Sequence, residues 1–451
     1  MKVRELGVAV RPADFLGLSP YHWLVIAAAW TGWGFDLFDA LLFNFVAPNC
    51  IPALVHQPRG SAGAHAATVF WTGAITSILL VGWALGGAMF GWVADRIGRK
   101  RALFITITLY AVGTALCALA TNIWQLVAFR SIASLGIGGE WGIGAALVAE
   151  GVPENRRVEA GTIVATAGPV GVVLAAGVNY QVAGVWFAGH PETSWRYVFL
   201  AGLAPVILAF AVRWFLHESE RWTASAASGP KPSLLELFGP KMRASTMSGL
   251  LPAVAALLAW WACGAFMPLL GGALAAEHAS HVGMAPVATA VLVEAWKAYA
   301  SNAFNFGGLV GILLAAPIAR RFGRRPMFIA YFLYSTLILA VTFGPALTPQ
   351  TRLAMLFLVG LGVNGILGGF IFYLPELFPT RLRGMASGFC FNFGRVFAAA
   401  GPVIIGTIAS RAAGSSTPIT HALLWLAAIP LTAASLARLV IIETRGRSLP
   451  A

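Results

Sequence analysis

The stretch that decides the fold is GWVADRIGRKR, Gly91 to Arg101, which packs five charged side chains into one short turn between two long apolar runs. A charged hairpin this tight between apolar segments is typical of a loop at a membrane surface. The chain repeats it, because AAPIARRFGRR, Ala315 to Arg325, carries a second basic turn 225 residues later. The repetition predicts a duplicated architecture.

The composition excludes a soluble protein. Of 451 residues, 58% are hydrophobic and only 10% are charged, whereas soluble domains carry about 25% charged residues. Apolar runs of ~20 residues recur along the chain, and each is long enough to cross a bilayer. The four cysteines are scattered, with neither metal-ligand spacing nor a disulfide framework. We therefore predict a helical membrane protein with many spans and no metal site.

The apolar runs predict twelve spans, arranged as two sets of six. The predicted domains are an amino-terminal bundle (1–216), a cytoplasmic linker (217–246) and a carboxy-terminal bundle (247–451). The eighth span is longer than a membrane requires, so its start near Glu294 and Lys297 is expected at the outer interface. The spans are 21–48, 69–94, 102–120, 126–149, 160–186, 196–216, 247–272, 287–319, 326–345, 352–374, 386–409 and 420–442.

The basic residues predict the orientation. With the amino terminus inside, and with basic residues toward the ends of spans counted in the adjoining segments, inner segments hold 23 of the 30 Lys and Arg residues and outer segments hold 5. The other 2, Arg130 and Arg395, lie deeper within spans. By the positive-inside rule both termini are expected in the cytoplasm, in the inner (plasma) membrane. The net charge of +13 is thus a topology signal that requires no nucleic-acid partner.

Several motifs together resemble the major facilitator superfamily. GWVADRIGRKR is similar to its signature loop between helices two and three, HESERW (217–222) resembles the motif after helix six, and PELFPTRLRG (375–384) resembles signatures of its sugar, organic-cation and metabolite:proton branches. The resemblance implies an all-α membrane protein with twelve transmembrane helices in two pseudo-symmetric six-helix bundles. It further implies a central site that is exposed alternately to each side.

Two carboxylates lie near the middle of the first span, in WTGWGFDLFDALLF, Trp30 to Phe43. Asp36 and Asp39 are three residues apart and share a helical face. Each charge there costs ~2.5–3.5 kcal/mol on the translocon scale, so a role as proton carrier is one explanation. The alternative is that an Asp pairs with a basic neighbour as a structural lock. The D-x-F-D arrangement resembles the helix-one motif of aromatic-acid, sialate and lactate proton symporters.

Two arginines and a glutamate are further charges inside spans. Arg130 resembles the helix-four arginine that is linked with coupling in the superfamily, and a snorkelling side chain is the alternative. Glu140 is expected to carry a proton or to pair with an arginine. Arg395 is the main candidate for binding an anionic substrate, because its planar guanidinium suits a carboxylate. A permanent bridge from Arg395 to Asp36 or Asp39 is the alternative.

Uncharged residues complete the predicted substrate site. Asn364, Asn392 and Trp33 are candidate substrate contacts, although interhelical hydrogen bonding and packing are alternatives for each. On the inner face, charged residues are expected to form a latch whose pairs bias the equilibrium between outward-open and inward-open forms. The latch residues are Asp95, Arg96, Arg99, Glu150, Arg157, Glu376 and Arg383.

The predicted function is proton-coupled symport of a small organic anion, such as a monocarboxylate, by a monomer that needs no cofactor beyond the proton gradient. A sugar or polyol symporter is the alternative within the fold, followed by a drug:proton antiporter. A membrane sensor that binds ligand without transport is the rival from another class. No motif resembles a nucleophile elbow, a metal cluster or a phosphate-binding loop, so we predict no catalytic residues and no enzyme activity.

Overall fold

The computed structural model describes residues 17–97, 99–153, 156–203, 206–207, 210–211, 214, 234–410 and 417–446, and these residues form helices without strands. Proline and serine or threonine begin several of the helices. Ser19 caps the first, where its Oγ accepts the His22 backbone N–H at 3.3 Å, and Pro20 follows at the first helical position.

The helix bounds follow the chain order. They are α1 (Pro20–Leu54), α2 (Ala62–Ile97), α3 (Arg99–Cys117), α4 (Ile123–Gly151), α5 (Arg157–Ala165), α6 (Ala167–Asn179), a π-helix (Tyr180–Trp186), α7 (Pro191–Ala201), a 3₁₀ turn (Leu234–Phe238), α8 (Arg243–Gly264), α9 (Met267–His281), α10 (Pro286–Phe322), α11 (Arg324–Phe343), α12 (Pro349–Glu376), α13 (Thr380–Ala398), α14 (Ala400–Ser410), α15 (Thr417–Trp425) and α16 (Ala428–Val440).

Ten segments in the described part of the chain are long and apolar enough to cross a membrane. The fourth predicted span is α4, a helix of 29 residues that packs between α2 and α3 and carries Arg130 and Glu140. The sixth predicted span begins within α7, and most of its remainder, after residue 203, lies outside the described residues. The structure therefore agrees with an all-helical membrane fold.

Helices from the two halves of the chain pack along two seams. One joins α2 to α13 and α14, and the other joins α6 to α10. Small residues permit the first contact, because a Cβ added at Gly73 would lie 2.3 Å from the Pro402 carbonyl oxygen. The domain limits 1–216, 217–246 and 247–451 stay a prediction.

Two charged residues near the start of the eighth span are buried inside the protein. Glu294 and Lys297 are only 9% and 2% exposed, and their position at the outer interface stays a prediction. Both belong to α10, and their side chains face other helices instead of water or headgroups. The reason is that neighbouring amides and an ion pair satisfy the two charges inside the protein.

Candidate functional site

A buried ion pair joins the first and fourth spans. Asp39 Oδ2 of α1 lies 3.0 Å from Arg130 Nη1 of α4, and the two side chains are 3% and 0% exposed. Thr114 Oγ1 donates to Asp39 Oδ1 at 2.5 Å. Arg130 Nη2 donates to the backbone oxygens of Asp39 and Ala40, both at 3.1 Å. Arg130 therefore contacts the predicted proton carrier, and its predicted substrate contact stays untested.

The second buried arginine lies against aromatic rings. Arg395 Cζ of α13 is 4.4 Å from the ring centroid of Trp83 and 5.0 Å from that of Phe391. Its Nη1 donates to Asn392 Oδ1, and Asp36 of α1 is close enough to interact with it electrostatically. Cation–π contacts of a desolvated guanidinium contribute about 2 kcal/mol. A guanidinium has the fork of N–H donors that suits a carboxylate, and the role of Arg395 in binding an anionic substrate stays a prediction.

Aromatic contacts extend from Arg395 to another predicted site residue. The ring centroids of Trp83 and Trp261 are 5.6 Å apart, and those of Trp261 and Trp260 are 4.7 Å apart. Trp260 Nε1 donates to Asn364 Oδ1 at 2.5 Å. The structure thus links Arg395 and Asn364 through rings from α2 and α8. Trp83 was missed by sequence reasoning, because one tryptophan in an apolar run carries no signal of its own.

Two further predicted site residues, Glu140 and Trp33, lie at other positions along α4 and α1. Glu140 is 2% exposed and lies ten residues beyond Arg130 on α4, or about 15 Å along the helix axis. Trp33 lies beside α6, since a Cβ added at Gly168 would be 3.9 Å from its Nε1. Glu140 is therefore a buried acid at another membrane depth from the Asp39–Arg130 pair.

One member of the predicted inner latch has a described side chain. Glu376 binds Arg324 in a bidentate pair, with Oε1 2.5 Å from Nη2 and Oε2 2.9 Å from Nε, and Thr444 Oγ1 donates to Oε2 at 2.5 Å. The network ties α11 and α12 to the segment after α16. The other predicted members, whose side chains lie outside the described residues, are Asp95, Arg96, Arg99, Glu150, Arg157 and Arg383.

A neighbouring carboxylate strengthens this inner network. Glu443 accepts the backbone N–H groups of Arg324 and Arg325, both at 3.0 Å, and of Arg445 at 2.9 Å. Partial burial raises the pKa of Glu443, but these hydrogen bonds outweigh burial and hold it below its usual range. A lowered pKa keeps the carboxylate ionised at neutral pH, and this stabilisation is lost as the pH falls through the folded-state pKa.

A long ion-pair contact connects the two halves at the carboxy-terminal end of α10. Arg320 Nη2 of α10 lies 4.0 Å from Glu159 Oε1 of α5. The sequence repeat places Arg320 where the first loop has Asp95, so the two loops differ in charge. Arg320 thus contacts the opposite half. The pair is partly exposed and is worth less than about 1 kcal/mol.

Known sequences resemble this chain over most of its length. The profile of the family described as "Sugar (and other) transporter" matches residues 25–229. A predicted metabolite transport protein of Haemophilus influenzae is 31% identical, over 87% of this chain and 90% of that protein. A predicted 4-methylmuconolactone transporter of Cupriavidus pinatubonensis is 29% identical, over 87% and 85%. The sialic acid transporter NanX of Escherichia coli is 25% identical, over 86% and 87%.

Solved structures share the fold. The crystal structure of a D-xylose-proton symporter matches with a TM-score of 0.69 at 18% identity, covering 95% of this chain and 100% of that one. An inward-facing bacterial homologue of the human lysosomal transporter Spinster matches with a TM-score of 0.63, also at 18% identity, covering 94% and 97%. At this identity the likeness establishes the helical arrangement and leaves the cargo open.

Proposed function

Because this chain belongs to the sugar (and other) transporter family of the major facilitator superfamily, we propose that it couples the uptake of a small organic anion to the entry of protons. It is a multi-pass membrane transporter and not an enzyme. The observation that carries the proposal is the buried Arg395 on the rings of Trp83 and Phe391, with Asp36 within electrostatic reach.

The proposed coupling follows from competition for one cation. When a substrate carboxylate binds Arg395, Asp36 loses the electrostatic stabilisation that it receives from this arginine. A buried carboxylate that loses its cationic partner is stabilised by taking up a proton. Substrate and proton are therefore bound together. The Asp39–Arg130 pair offers a second carboxylate that can take up a proton, and protonation there would weaken the link between α1 and α4.

The surroundings of Arg395 favour an acid with a flat apolar body. The rings of Trp83 and Phe391 flank the Arg395 guanidinium, so an aromatic acid whose carboxylate binds Arg395 would lie beside other aromatic rings. Similar proteins of Corynebacterium glutamicum and Acinetobacter baylyi are described as gentisate and niacin transporters, each 26% identical to this chain. Those names support an organic acid as cargo.

A sugar is the second candidate cargo. The family description names sugars, and the chain shares its fold with a xylose symporter. A carboxylate can form an ion pair with Arg395, which is 3% exposed, whereas a neutral sugar cannot, so we favour the anion. We place both termini in the cytoplasm because of the basic inner loops.

The proposal is tested by uptake into proteoliposomes. Labelled nicotinate, gentisate and xylose are offered with and without an acid-outside pH gradient. We expect the gradient to accelerate entry of at least one acid. Arg395→Ala should lower that entry about 10- to 100-fold, because a charged hydrogen bond contributes ~1.5–3 kcal/mol.

The matched control is Arg438→Ala, which removes an exposed arginine near the end of α16 and should leave uptake unchanged. Acid uptake that ignores the pH gradient would refute proton coupling. Uptake of xylose alone, unaffected by Arg395→Ala, would favour the sugar symporter over the anion symporter.

A further inference from the structure

A buried polar cluster surrounds Glu294, away from the Arg395 site. Glu294 Oε1 accepts from Lys297 Nζ at 2.7 Å and from Asn49 Nδ2 at 3.2 Å. Glu294 Oε2 accepts from Asn179 Nδ2 at 3.0 Å. All four residues are at most 9% exposed. Since unpaired polar groups in such a place are costly, the geometry indicates a specific contact.

The members of the Glu294 cluster come from opposite halves of the chain. Asn49 lies on α1 and Asn179 ends α6, whereas Glu294 and Lys297 lie on α10. Both amide hydrogen bonds therefore cross the seam between the halves. With the amino terminus inside, α1 and α6 approach the outer surface at these residues, and α10 starts there.

Arg59, a neighbouring residue in the first half, positions the Asn49 side chain. Arg59 Nη2 donates to Asn49 Oδ1 at 2.9 Å and to the Pro191 carbonyl at 3.1 Å. The Asn49 amide thus has its oxygen bound within its own half and its Nδ2 directed to Glu294. Burial lowers the pKa of Arg59, and the charges of Glu192 and Glu294 oppose that shift.

The ends of α10 contact the first half at both faces. Glu294 meets α1 and α6 near the outer face, and Arg320, 26 residues later, meets Glu159 of α5 near the inner face. This separation corresponds to about 39 Å along a straight helix. Both contacts are formed in this structure, and rocking of α10 against the first half would break one of them while the other persists.

We propose that Glu294 is the residue that holds the outer side closed, through its hydrogen bonds to Asn49 and Asn179. The inference rests on the transport function proposed above and on the alternating exposure of a central site that the resemblance to the superfamily implies. Because Glu294 and Lys297 share α10, the ion pair moves as one unit when the outer side opens. Only the two amide hydrogen bonds break, so the carboxylate stays neutralised and the contact is reversible.

The sequence repeat shows that Glu294 has no charged counterpart in the first half of the chain. With an offset of 225 or 226 residues, Glu294 aligns with Val69 or Thr68 of α2, and neither is charged. The first half therefore has no equivalent acid on its own second span. A single charged contact biases one end of the seam, so its loss should favour the outward-open state.

Distances between spin labels test the proposal in reconstituted protein. The outer pair is Thr193→Cys with Ala288→Cys, and the inner pair is Arg101→Cys with Arg321→Cys. All four positions are exposed, whereas the native cysteines are buried. Pulsed electron spin resonance then reports both ends of the seam in the same membrane.

Glu294→Gln removes the charge but keeps the shape of the side chain. We expect the outer distance to lengthen and the inner distance to shorten, which corresponds to roughly a tenfold shift toward the outward-open state. His281→Gln is the control, because it changes an exposed side chain at the end of α9 and should leave both distances unchanged. A merely destabilised protein would broaden both distance distributions without this reciprocal change.

Asn49→Ser is the second variant, because it removes one bridging amide and leaves the Glu294–Lys297 pair intact. It should shift the distances in the same direction as Glu294→Gln. Unchanged distances in both variants would overturn the proposal, even if acid uptake proves proton-coupled. Conversely, a reciprocal shift in a protein that fails to transport organic acids would support the outer contact and refute only the proposed cargo.

Discussion

At the scale of residues, the two arginines within spans are neutralised in different ways. Arg130 has a direct carboxylate partner at 3.0 Å and two backbone acceptors. Arg395 is held by an amide and two aromatic faces, with Asp36 interacting electrostatically. These contacts are the basis for the proposal that Asp39, the partner of Arg130, can take up a proton and that Arg395 binds the cargo.

Asp39→Asn should separate transport from the proton gradient. The substitution removes the charge that Arg130 pairs with and the second of the two carboxylates that we propose take up protons. We expect uphill accumulation driven by an acid-outside gradient to be lost, while exchange of labelled for unlabelled substrate persists. Both are measured in proteoliposomes, and gradient-driven accumulation by Asp39→Asn would contradict the role given to Asp39.

The unfolding temperature of the same variant provides a control for stability. Breaking a buried ion pair by removing one partner costs about 3–5 kcal/mol, because the other charge stays buried. The double variant Asp39→Asn/Arg130→Gln should therefore unfold at a higher temperature than Asp39→Asn alone, although neither accumulates substrate.

Sequence alone identified the charged residues but not their partners. Asp36, Asp39, Arg130 and Arg395 stood out because a charge in an apolar run needs an explanation. Which arginine pairs with which aspartate depends on how the helices pack, and the pattern of residues in one sequence does not reveal that packing. The Glu294 cluster was missed because an acid and a base three residues apart near a helix start resemble an exposed pair.

At the scale of elements, the crossing of α2 with α14 depends on small residues. A Cβ at Gly73 would lie 2.3 Å from the Pro402 oxygen and 3.2 Å from the Gly406 Cα. Those neighbours are backbone atoms, so the helices themselves must move apart. The crossing is one seam between the two halves, which makes it relevant to transport as well as to stability.

Gly73→Ala should destabilise this crossing by about 1–3 kcal/mol, as overpacking of a close contact does. The measurement is thermal unfolding in detergent. Gly177→Ala on α6 is the matched control, since a Cβ there meets nothing within 4 Å, and it should unfold like the parent. Equal stability of the two variants would show that the seam is looser than the structure indicates.

Hydropathy predicted the apolar segments well, and it could not predict their interruptions. The seventh predicted span is divided at Ala265–Phe266 into α8 and α9, and the eleventh at Ala399 into α13 and α14. The fifth ends in a π-helix, Tyr180–Trp186. Such irregular turns depend on neighbouring helices that satisfy the backbone groups, so they are not visible in composition.

At the scale of the whole molecule, the duplicated loops predicted a pair of related bundles, and the family and the fold bear this out. The differences between the halves carry the functional detail. Asn364 replaces Gly138 in the repeat and binds Trp260, while Arg320 replaces Asp95 and reaches across to Glu159. The sequence repeat predicts the two related bundles, whereas the partners of residues that differ between the halves are found only in the structure.

The internal neutrality of the buried ion pairs has an electrical consequence. Asp39 and Arg130 share one half, and Glu294 and Lys297 share one helix, so rocking moves no net charge from either pair while both of its members are charged. If one proton enters with each monocarboxylate anion, the proposed cycle is electroneutral. A single uncompensated charge would feel about 2.3 kcal/mol per 100 mV. A potassium diffusion potential set with valinomycin should therefore leave the uptake rate of a monocarboxylate nearly unchanged, and strong voltage dependence would require a different stoichiometry.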